Sequence, residues 1–172
     1  MGPIDLALPK SQAGRALRIC AAALVVLAAV WTFQAFGVEP CELCLTERWA
    51  WYAAVPLALI AALAASRADG LARVVFAVLV LIFLANAAFA FYHVGVEERW
   101  WPGPTACTGS LTGPLNTGDL LNSLNSVRVV SCDVVQMRIL GLSFAGWDVI
   151  ASLAMALYAA LAARRGPAAG GR

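Results

Sequence analysis

The sequence predicts an all-α membrane protein, a bundle of four transmembrane helices with one long polar loop. Of the 172 residues, 62% are hydrophobic and 13% are charged, whereas a soluble domain averages about half apolar and about a quarter charged. Four apolar runs, of which only the last contains a charge (Asp148), cover residues 19–38, 49–66, 74–96 and 139–163. A helix needs about 20 such residues to cross the hydrocarbon. Because the runs lack the alternation of barrel strands, helices are expected.

Turn residues separate the predicted helices and place them in order along the chain. Pro40 suits the opening of the second helix, because the N–H that proline lacks would be unpaired there anyway. Glycine and proline also accumulate between the third and fourth runs. The predicted helices span residues 15–36, 41–65, 71–94 and 142–163, with a loop at 95–140, all within a single membrane domain of residues 1–172.

Within this loop a short amphipathic helix is predicted. Its apolar residues recur at helical spacing, with asparagine and serine on the opposite face; they are Leu120, Leu121, Leu124 and Val127. Such a helix either lies on the membrane surface or packs on the end of the bundle.

The basic residues predict the orientation of the bundle. Eight of the twelve Lys and Arg flank the helix ends on one side, and this side should be cytoplasmic; they are Lys10, Arg15, Arg18, Arg67, Arg73, Arg164, Arg165 and Arg172. All six tryptophans map to the opposite half. Two cysteine pairs on that outer face imply an oxidising compartment, and we expect a bacterial inner membrane facing the periplasm. The net charge of +2, with no basic cluster, argues against nucleic-acid binding.

The most informative motif is Cys41-Glu-Leu-Cys44, at the start of the second predicted helix. The positive end of the helix dipole stabilises a thiolate there. Arg48 follows one turn after Cys44 on the same face, where its cation can lower a thiol pKa or bind a carbonyl oxygen of a bound ring. The alternatives are a static disulfide for the pair and a membrane-surface anchor for Arg48; a functional role is the default for an ionisable residue inside a membrane.

The second pair, Cys107 and Cys132, lies in the long loop. A disulfide between them is either a structural staple or an exchangeable bond that passes electrons to the neighbouring dithiol. A zinc site formed by all four cysteines is a further alternative, which the wide loop spacing and the lack of an adjacent histidine disfavour.

Three other polar or reactive residues lie in or beside the apolar runs. His93 is the only histidine and is either an interfacial side chain or a proton donor to a reduced ring. Asp148 is costly in a membrane helix and is expected to pair with Arg48 or to stay near the interface. Cys20 is interpreted as a small buried apolar residue.

Together, these motifs resemble the DsbB family of disulfide-generating membrane proteins over about residues 15–163. The resemblance rests on Pro40-Cys41-Glu-Leu-Cys44 with Glu47-Arg48, on Tyr92-His93-Val94-Gly95-Val96-Glu97, on Trp101-x-Gly103-Pro104 with Cys107, on Cys132-Asp133, and on Gly141-Leu142-Ser143-x-Ala145-Gly146-Trp147. One departure is Asp148, where many relatives carry asparagine after the Gly-Trp pair.

The resemblance implies a four-helix bundle that binds a quinone, either ubiquinone or menaquinone, near Arg48 and the Cys41–Cys44 pair. It implies a periplasmic DsbA-like thioredoxin-fold oxidase as partner, whose thiol engages Cys107, while Cys44 contacts the quinone. The expected activity is therefore that of a protein-dithiol:quinone oxidoreductase, and His93 and Asp148 are further candidate contacts of the ring.

Two rival functions are weighed against this expectation. A vitamin K epoxide reductase-like protein would share the bundle and the quinone, but its Cys-x-x-Cys pair comes after the loop cysteines, whereas here it comes before them. A non-enzymatic membrane scaffold would hold structural disulfides or zinc, and counts of free thiols and metal on purified protein distinguish it.

Overall fold

Four long helices dominate the computed structural model, which describes residues 11–65, 68–104 and 130–164. The described helices are α1 (Gln12–Ala35), α2 (Glu42–Ala64), α3 (Asp69–Glu97) and α4 (Phe144–Arg164). Two short strands, β1 (Arg138–Ile139) and β2 (Leu142–Ser143), form an antiparallel pair just before α4. The chain runs up and down, so α1 and α3 end on the side of the bundle where α2 and α4 begin, and the two strands precede α4 on that side.

Local signals in the sequence set the ends of the first two helices. α1 begins after Ser11, whose hydroxyl accepts a hydrogen bond from the N–H of Gly14 at 3.1 Å, as an N-cap serine does. Gly37 takes a φ of 92°, a conformation that suits glycine, and turns the chain towards α2. The N-cap of α2 is Cys41.

Small residues let the helices approach closely in the centre of the bundle. α1 packs on α2, α2 on α3, and α3 on α4. Fully buried alanines occur on all four described helices and include Ala23, Ala58, Ala90 and Ala159. Larger side chains such as Phe76 and Phe83 fill the remaining space. Such close contact between small residues is a principal source of helix association in lipid.

The outward faces of the helices are apolar, as a membrane requires. Leu63, Leu81 and Leu157 expose 71, 67 and 62% of their surface. Among the described helices, α1, the Gly70–Glu97 part of α3, and α4 are long and apolar enough to cross a membrane. The 23-residue α2 is less apolar because its first two turns carry Glu42, Glu47 and Arg48. The predicted fold class, an all-α membrane protein, is confirmed.

The helix boundaries differ from the predicted ones by a few residues, and one difference matters for the site. α3 continues to Glu97 instead of ending at residue 94, so Gly95 and Val96 are helical. The predicted loop therefore begins later than residue 95. The predicted surface helix at 120–127 lies outside the described residues.

The β1–β2 hairpin was not predicted from the periodicity of the sequence. It directly precedes α4 in the chain and contacts the end of α3 through side chains. Its turn places Leu140 and Gly141 at φ values of 53° and 85°. The guanidinium of Arg138 donates to Glu98 at 2.5 Å, and the Ser143 hydroxyl donates to the Glu97 carboxylate. Two-residue strands are too short to show alternation, so this element depends on tertiary contacts.

Gly95 is a position where a side chain cannot be accommodated. A Cβ there would come within 2.0 Å of the Trp101 ring, which stacks on Tyr92 at a centroid distance of 5.9 Å. We expect Gly95→Ala to displace Trp101 and to lower the free energy of unfolding by about 1–3 kcal/mol. Thermal unfolding in detergent measures this effect. Gly70→Ala is the matched control, because nothing lies within 4 Å of its Cβ; equal melting of the two variants would contradict the prediction.

Candidate functional site

The candidate site is built around Cys41, which occupies the N-cap of α2. Its Sγ accepts a hydrogen bond from the backbone N–H of Cys44 at 3.3 Å, so sulfur fills the place usually taken by a serine or aspartate oxygen. The two Sγ atoms lie 3.1 Å apart as free thiols. Cys41 is buried and Cys44 is partly exposed.

His93 of α3 reaches the same sulfur from the other side. Its Nε2 lies 3.5 Å from the Cys41 Sγ, and its Nδ1 lies 2.7 Å from an Oε1 of Glu47. Both side chains are almost fully buried, with 1% of His93 and 6% of Glu47 exposed. His93 lies one turn before the end of α3 at Glu97. The result is a Cys–His–Glu chain, and a role for His93 in the reaction stays a prediction.

These contacts favour the thiolate form of Cys41. The hydrogen bond with Cys44 is the largest cause that lowers the pKa of Cys41 below its ordinary value of 9.0, and the hydrogen bond with His93 adds to it. Burial acts in the opposite direction, because low dielectric disfavours a charged sulfur. Cys41 is therefore the more nucleophilic member of the pair in this geometry.

In the reduced protein, Cys41 should react with iodoacetamide well below pH 9.0, the ordinary pKa from which it is lowered. The thiolate is the reactive form, and it persists until the pH falls through the lowered pKa. Alkylation rates followed by peptide mass spectrometry across pH test this. His93→Ala should move the inflection upward because one stabilising contact is lost. An inflection of the wild-type profile at or above pH 9.0 would contradict the assignment.

The loop cysteine Cys132 lies in the same buried cluster as the Cys-x-x-Cys pair. Cys41, Leu43, Val96 and Cys132 form the fully buried part of this cluster, and Cys44 packs against it. Cys132 is disulfide-bonded and only 1% exposed. Its expected partner, Cys107, lies outside the described residues. The geometry therefore brings one disulfide sulfur next to the free dithiol.

An apolar pocket of about 360 Å³ opens beside this cluster. Its walls are mainly aliphatic and aromatic side chains of α1, α2 and α4, among them Val26, Val30, Phe33, Trp51, Phe144 and Ala151. Its polar lining includes Cys44, Arg48 and Asp148. A concave, mostly apolar volume with a few convergent polar groups is the usual form of a small-molecule site.

Arg48 is held on the pocket wall by two residues of α1. Its Nη1 donates to the Oε1 of Gln34 at 2.7 Å, and its guanidinium carbon lies 5.7 Å from the Trp31 ring centroid, within cation–π range. Arg48 is 9% exposed, so the guanidinium is oriented in the protein and does not extend freely into solvent. Its function stays a prediction.

Asp148 does not pair with Arg48 in the part of the chain that the structure describes. Its carboxylate accepts hydrogen bonds from the Trp51 indole at 2.7 Å and from the Asn86 amide at 2.8 Å. Asn86 also donates to the Ser152 hydroxyl at 3.0 Å. This network satisfies a carboxylate inside the bundle, which explains how an acidic residue is accommodated in α4.

Sequence reasoning gave no role to Glu47, Trp51 or Asn86, although all three contact predicted site residues. Two signals were available. Glu47 is an acidic residue one turn after Cys44, and Asn86 is the one amide side chain in the run 74–96. Trp51 was predicted only to lie in the outer half with the other tryptophans, and it is 2% exposed and packed within the core. Its indole has a polar partner, as is usual for a buried tryptophan.

The fold and the site define a class: an α-helical, multi-pass membrane protein in which a pair of thiols and a disulfide-bonded cysteine line one apolar pocket. Comparison with known proteins identifies the family within this class. The family of disulfide bond formation protein DsbB matches residues 12–162. The chain belongs to this family and is thus an oxidoreductase of disulfide bond formation, which confirms the resemblance.

Three similar proteins are compared with this chain, each named disulfide bond formation protein B. The protein of Azoarcus sp. (strain BH72) is 29% identical over 161 residues, which are 90% of this chain and 93% of that protein. That of Herminiimonas arsenicoxydans is 28% identical over 81% of this chain and 87% of its own length. That of Xanthomonas oryzae pv. oryzae (strain MAFF 311018) is 31% identical over 76% of this chain and 77% of its own length. These matches favour the DsbB expectation over the vitamin K epoxide reductase-like alternative.

Proposed function

We propose that the protein is a protein-dithiol:quinone oxidoreductase. A reduced DsbA-like thioredoxin-fold protein gives two electrons to a Cys107–Cys132 disulfide and leaves with its own disulfide formed. The resulting loop dithiol then reduces a Cys41–Cys44 disulfide and is reoxidised. The Cys41–Cys44 dithiol finally loses two electrons and two protons to a quinone substrate, which becomes a quinol.

The single observation that carries this proposal is that Cys41, Cys44 and Cys132 line one pocket. Cys132 is a disulfide sulfur in the same buried cluster as Cys41, and both members of the Cys-x-x-Cys pair line the pocket. Exchange between disulfides requires a thiolate with direct access to a disulfide sulfur. A structural staple or a scaffold gives no reason for a free dithiol at this junction.

The pocket supports a quinone as the electron acceptor. Its apolar walls suit a ring and the start of an isoprenoid chain, whether of ubiquinone or of menaquinone. Gln34 and Trp31 hold the Arg48 guanidinium in a fixed orientation, where its N–H groups can bind a carbonyl oxygen. A charge-assisted hydrogen bond of this kind is stronger than a neutral one, so Arg48 would orient the acceptor and stabilise negative charge that develops there.

Proton transfer from the dithiol would involve Cys41, His93 and Glu47. The His93 Nε2 lies within reach of the Cys41 sulfur, and Glu47 holds the opposite ring nitrogen. An imidazole oriented in this way by a carboxylate can accept the thiol proton. His93 would therefore keep Cys41 as a thiolate when it attacks or is displaced, while Cys44 faces the acceptor.

The proposed reaction requires the site to face the periplasm from a bacterial inner membrane. The basic residues support this orientation, because in the sequence eight of the twelve flank the predicted helix ends on the side opposite the two cysteine pairs. We expect reporter fusions at residue 68 to report the cytoplasm and fusions at residue 115 to report the periplasm. Reporter activities on the same side would contradict both the helix count and the proposed electron path.

The direct test is turnover with purified components. Full-length protein in detergent, supplied with a quinone, should reoxidise a reduced thioredoxin-fold protein while quinone absorbance falls in equal molar amount. Cys20→Ala is the matched control, since Cys20 is a free cysteine buried in the core away from the site, and it should keep full activity. Dithiol oxidation without quinone loss would refute the quinone as acceptor.

A further inference from the structure

We propose that the reduced Cys41–Cys44 dithiol and His93 together form a Zn²⁺ site. The three potential ligand atoms, two Sγ and the His93 Nε2, all lie within 4.8 Å of one another. Two thiolates and an imidazole are ligands that zinc prefers. This site differs from the four-cysteine zinc site considered from the sequence, because a histidine of α3 replaces the loop cysteines.

The distances between the ligand atoms are close to those of a tetrahedral zinc site. Zn–S and Zn–N bonds of ordinary length place sulfur and nitrogen about 3.6 Å apart, and the Cys41 Sγ to His93 Nε2 distance is 3.5 Å. The same geometry places two sulfurs about 3.8 Å apart, against the observed 3.1 Å. The adjustment of about 0.7 Å requires a small rotation of Cys44, which is only partly buried.

The surroundings of His93 are those of a metal ligand. Glu47 accepts from Nδ1 at 2.7 Å, which leaves the lone pair of Nε2 directed at the sulfurs. Histidine ligands of zinc commonly donate their other N–H to a carboxylate, and this contact fixes the ring and raises its basicity. Both side chains are buried, so the imidazole is oriented before a metal arrives.

Three protein ligands leave the fourth zinc position open towards the pocket, which the two cysteines and His93 also line. Zinc would bind both sulfurs as thiolates, release their protons and change no oxidation state. A dithiol held in this way cannot form a disulfide. We therefore expect Zn²⁺ to inhibit quinone reduction by trapping the reduced enzyme, and this expectation rests on the proposed function. The metal site itself does not depend on the quinone.

Cobalt substitution tests the site directly. A full-length Cys20→Ser/Cys107→Ser/Cys132→Ser protein keeps Cys41 and Cys44 as its only thiols. Reduced and titrated with Co²⁺ without oxygen, it should develop thiolate-to-cobalt charge-transfer bands and the visible bands of tetrahedral cobalt. The signal should saturate at a single equivalent and disappear when Zn²⁺ is added. Absence of these bands, with both thiols titratable and the helical circular dichroism intact, would overturn the proposal.

Variants decide whether His93 and Glu47 belong to the site. His93→Ala should remove the tetrahedral bands, and Glu47→Gln should weaken Co²⁺ binding by about 10- to 100-fold, as loss of such a supporting carboxylate does. Glu98→Gln is the matched control, because Glu98 pairs with Arg138 at the surface, and it should bind normally. Unchanged affinity in folded His93→Ala would overturn the assignment.

Activity of the wild-type protein in metal-free buffer separates the two proposals. Quinone reduction without cobalt binding would refute the zinc site alone, and cobalt binding without quinone reduction would refute the proposed function alone.

Discussion

Cys44→Ser should abolish quinone-dependent oxidation of a protein dithiol and leave the protein with a Cys41–Cys132 disulfide. In this variant Cys41 remains a thiolate beside a disulfide sulfur of the same buried cluster. Its attack on Cys132 forms the new bond and releases the former partner, predicted to be Cys107, as a thiol. Serine cannot displace Cys41 again, because a hydroxyl is not a nucleophile in thiol–disulfide exchange.

Peptide mapping under non-reducing conditions measures the new link, and quinone absorbance measures the activity. Cys20→Ser is the control and should retain both the wild-type disulfide pattern and full turnover, because Cys20 lies in the apolar core. If Cys41 of the Cys44→Ser protein stays free, or if turnover persists, the direct exchange between the two cysteine pairs is wrong.

Arg48→Ala should raise the Michaelis constant for quinone far more than that for the protein dithiol. The guanidinium lines the pocket, and loss of a charge-assisted contact costs about 1.5–3 kcal/mol, or about 10- to 100-fold in binding. Arg48→Lys should restore only part of this, because lysine lacks the planar fork of donors. Steady-state kinetics with each substrate varied separately give both constants.

Gln34→Ala provides a graded comparison for Arg48. Gln34 accepts the Nη1 hydrogen bond, and its loss should loosen the guanidinium without removing the charge. We expect a smaller rise in the quinone constant than in Arg48→Ala. If the wild-type and Arg48→Ala proteins have the same Michaelis constant for quinone, Arg48 does not bind the quinone and is instead a membrane-surface anchor.

The sequence predicted the helices and the cysteine motif because both depend on local patterns. Apolar runs longer than the bilayer is thick permit little besides helices, and a Cys-x-x-Cys pair after Pro40 indicates a helix start. The boundary at Gly95 was harder to predict. A glycine near the end of an apolar run resembles a stop signal, but the Trp101 ring packs against its bare backbone and the helix continues.

The partners of the polar residues could not be predicted, because they depend on how the helices face one another. A carboxylate at residue 148 is visible in the sequence, but its acceptance of hydrogen bonds from Trp51 and Asn86 requires α2, α3 and α4 in a particular rotation. The same holds for Glu47 and His93, which are 46 residues apart. Spacing along one helix predicts neighbours on that helix only.

The polar start of α2 also has a consequence for how the protein is made. Charged side chains near the centre of a membrane helix oppose insertion by roughly 2.5–3.5 kcal/mol each, and less towards the ends. In the finished bundle these groups have partners on neighbouring helices: Arg48 donates to Gln34 of α1, and Glu47 contacts His93 of α3. Gln34 precedes α2 in the chain, but His93 is synthesised after α2, so Glu47 enters the translocon before its partner exists. We therefore expect the entry of α2 into the bilayer to depend on its neighbouring helices, so that the polar residues of the site make biogenesis cooperative.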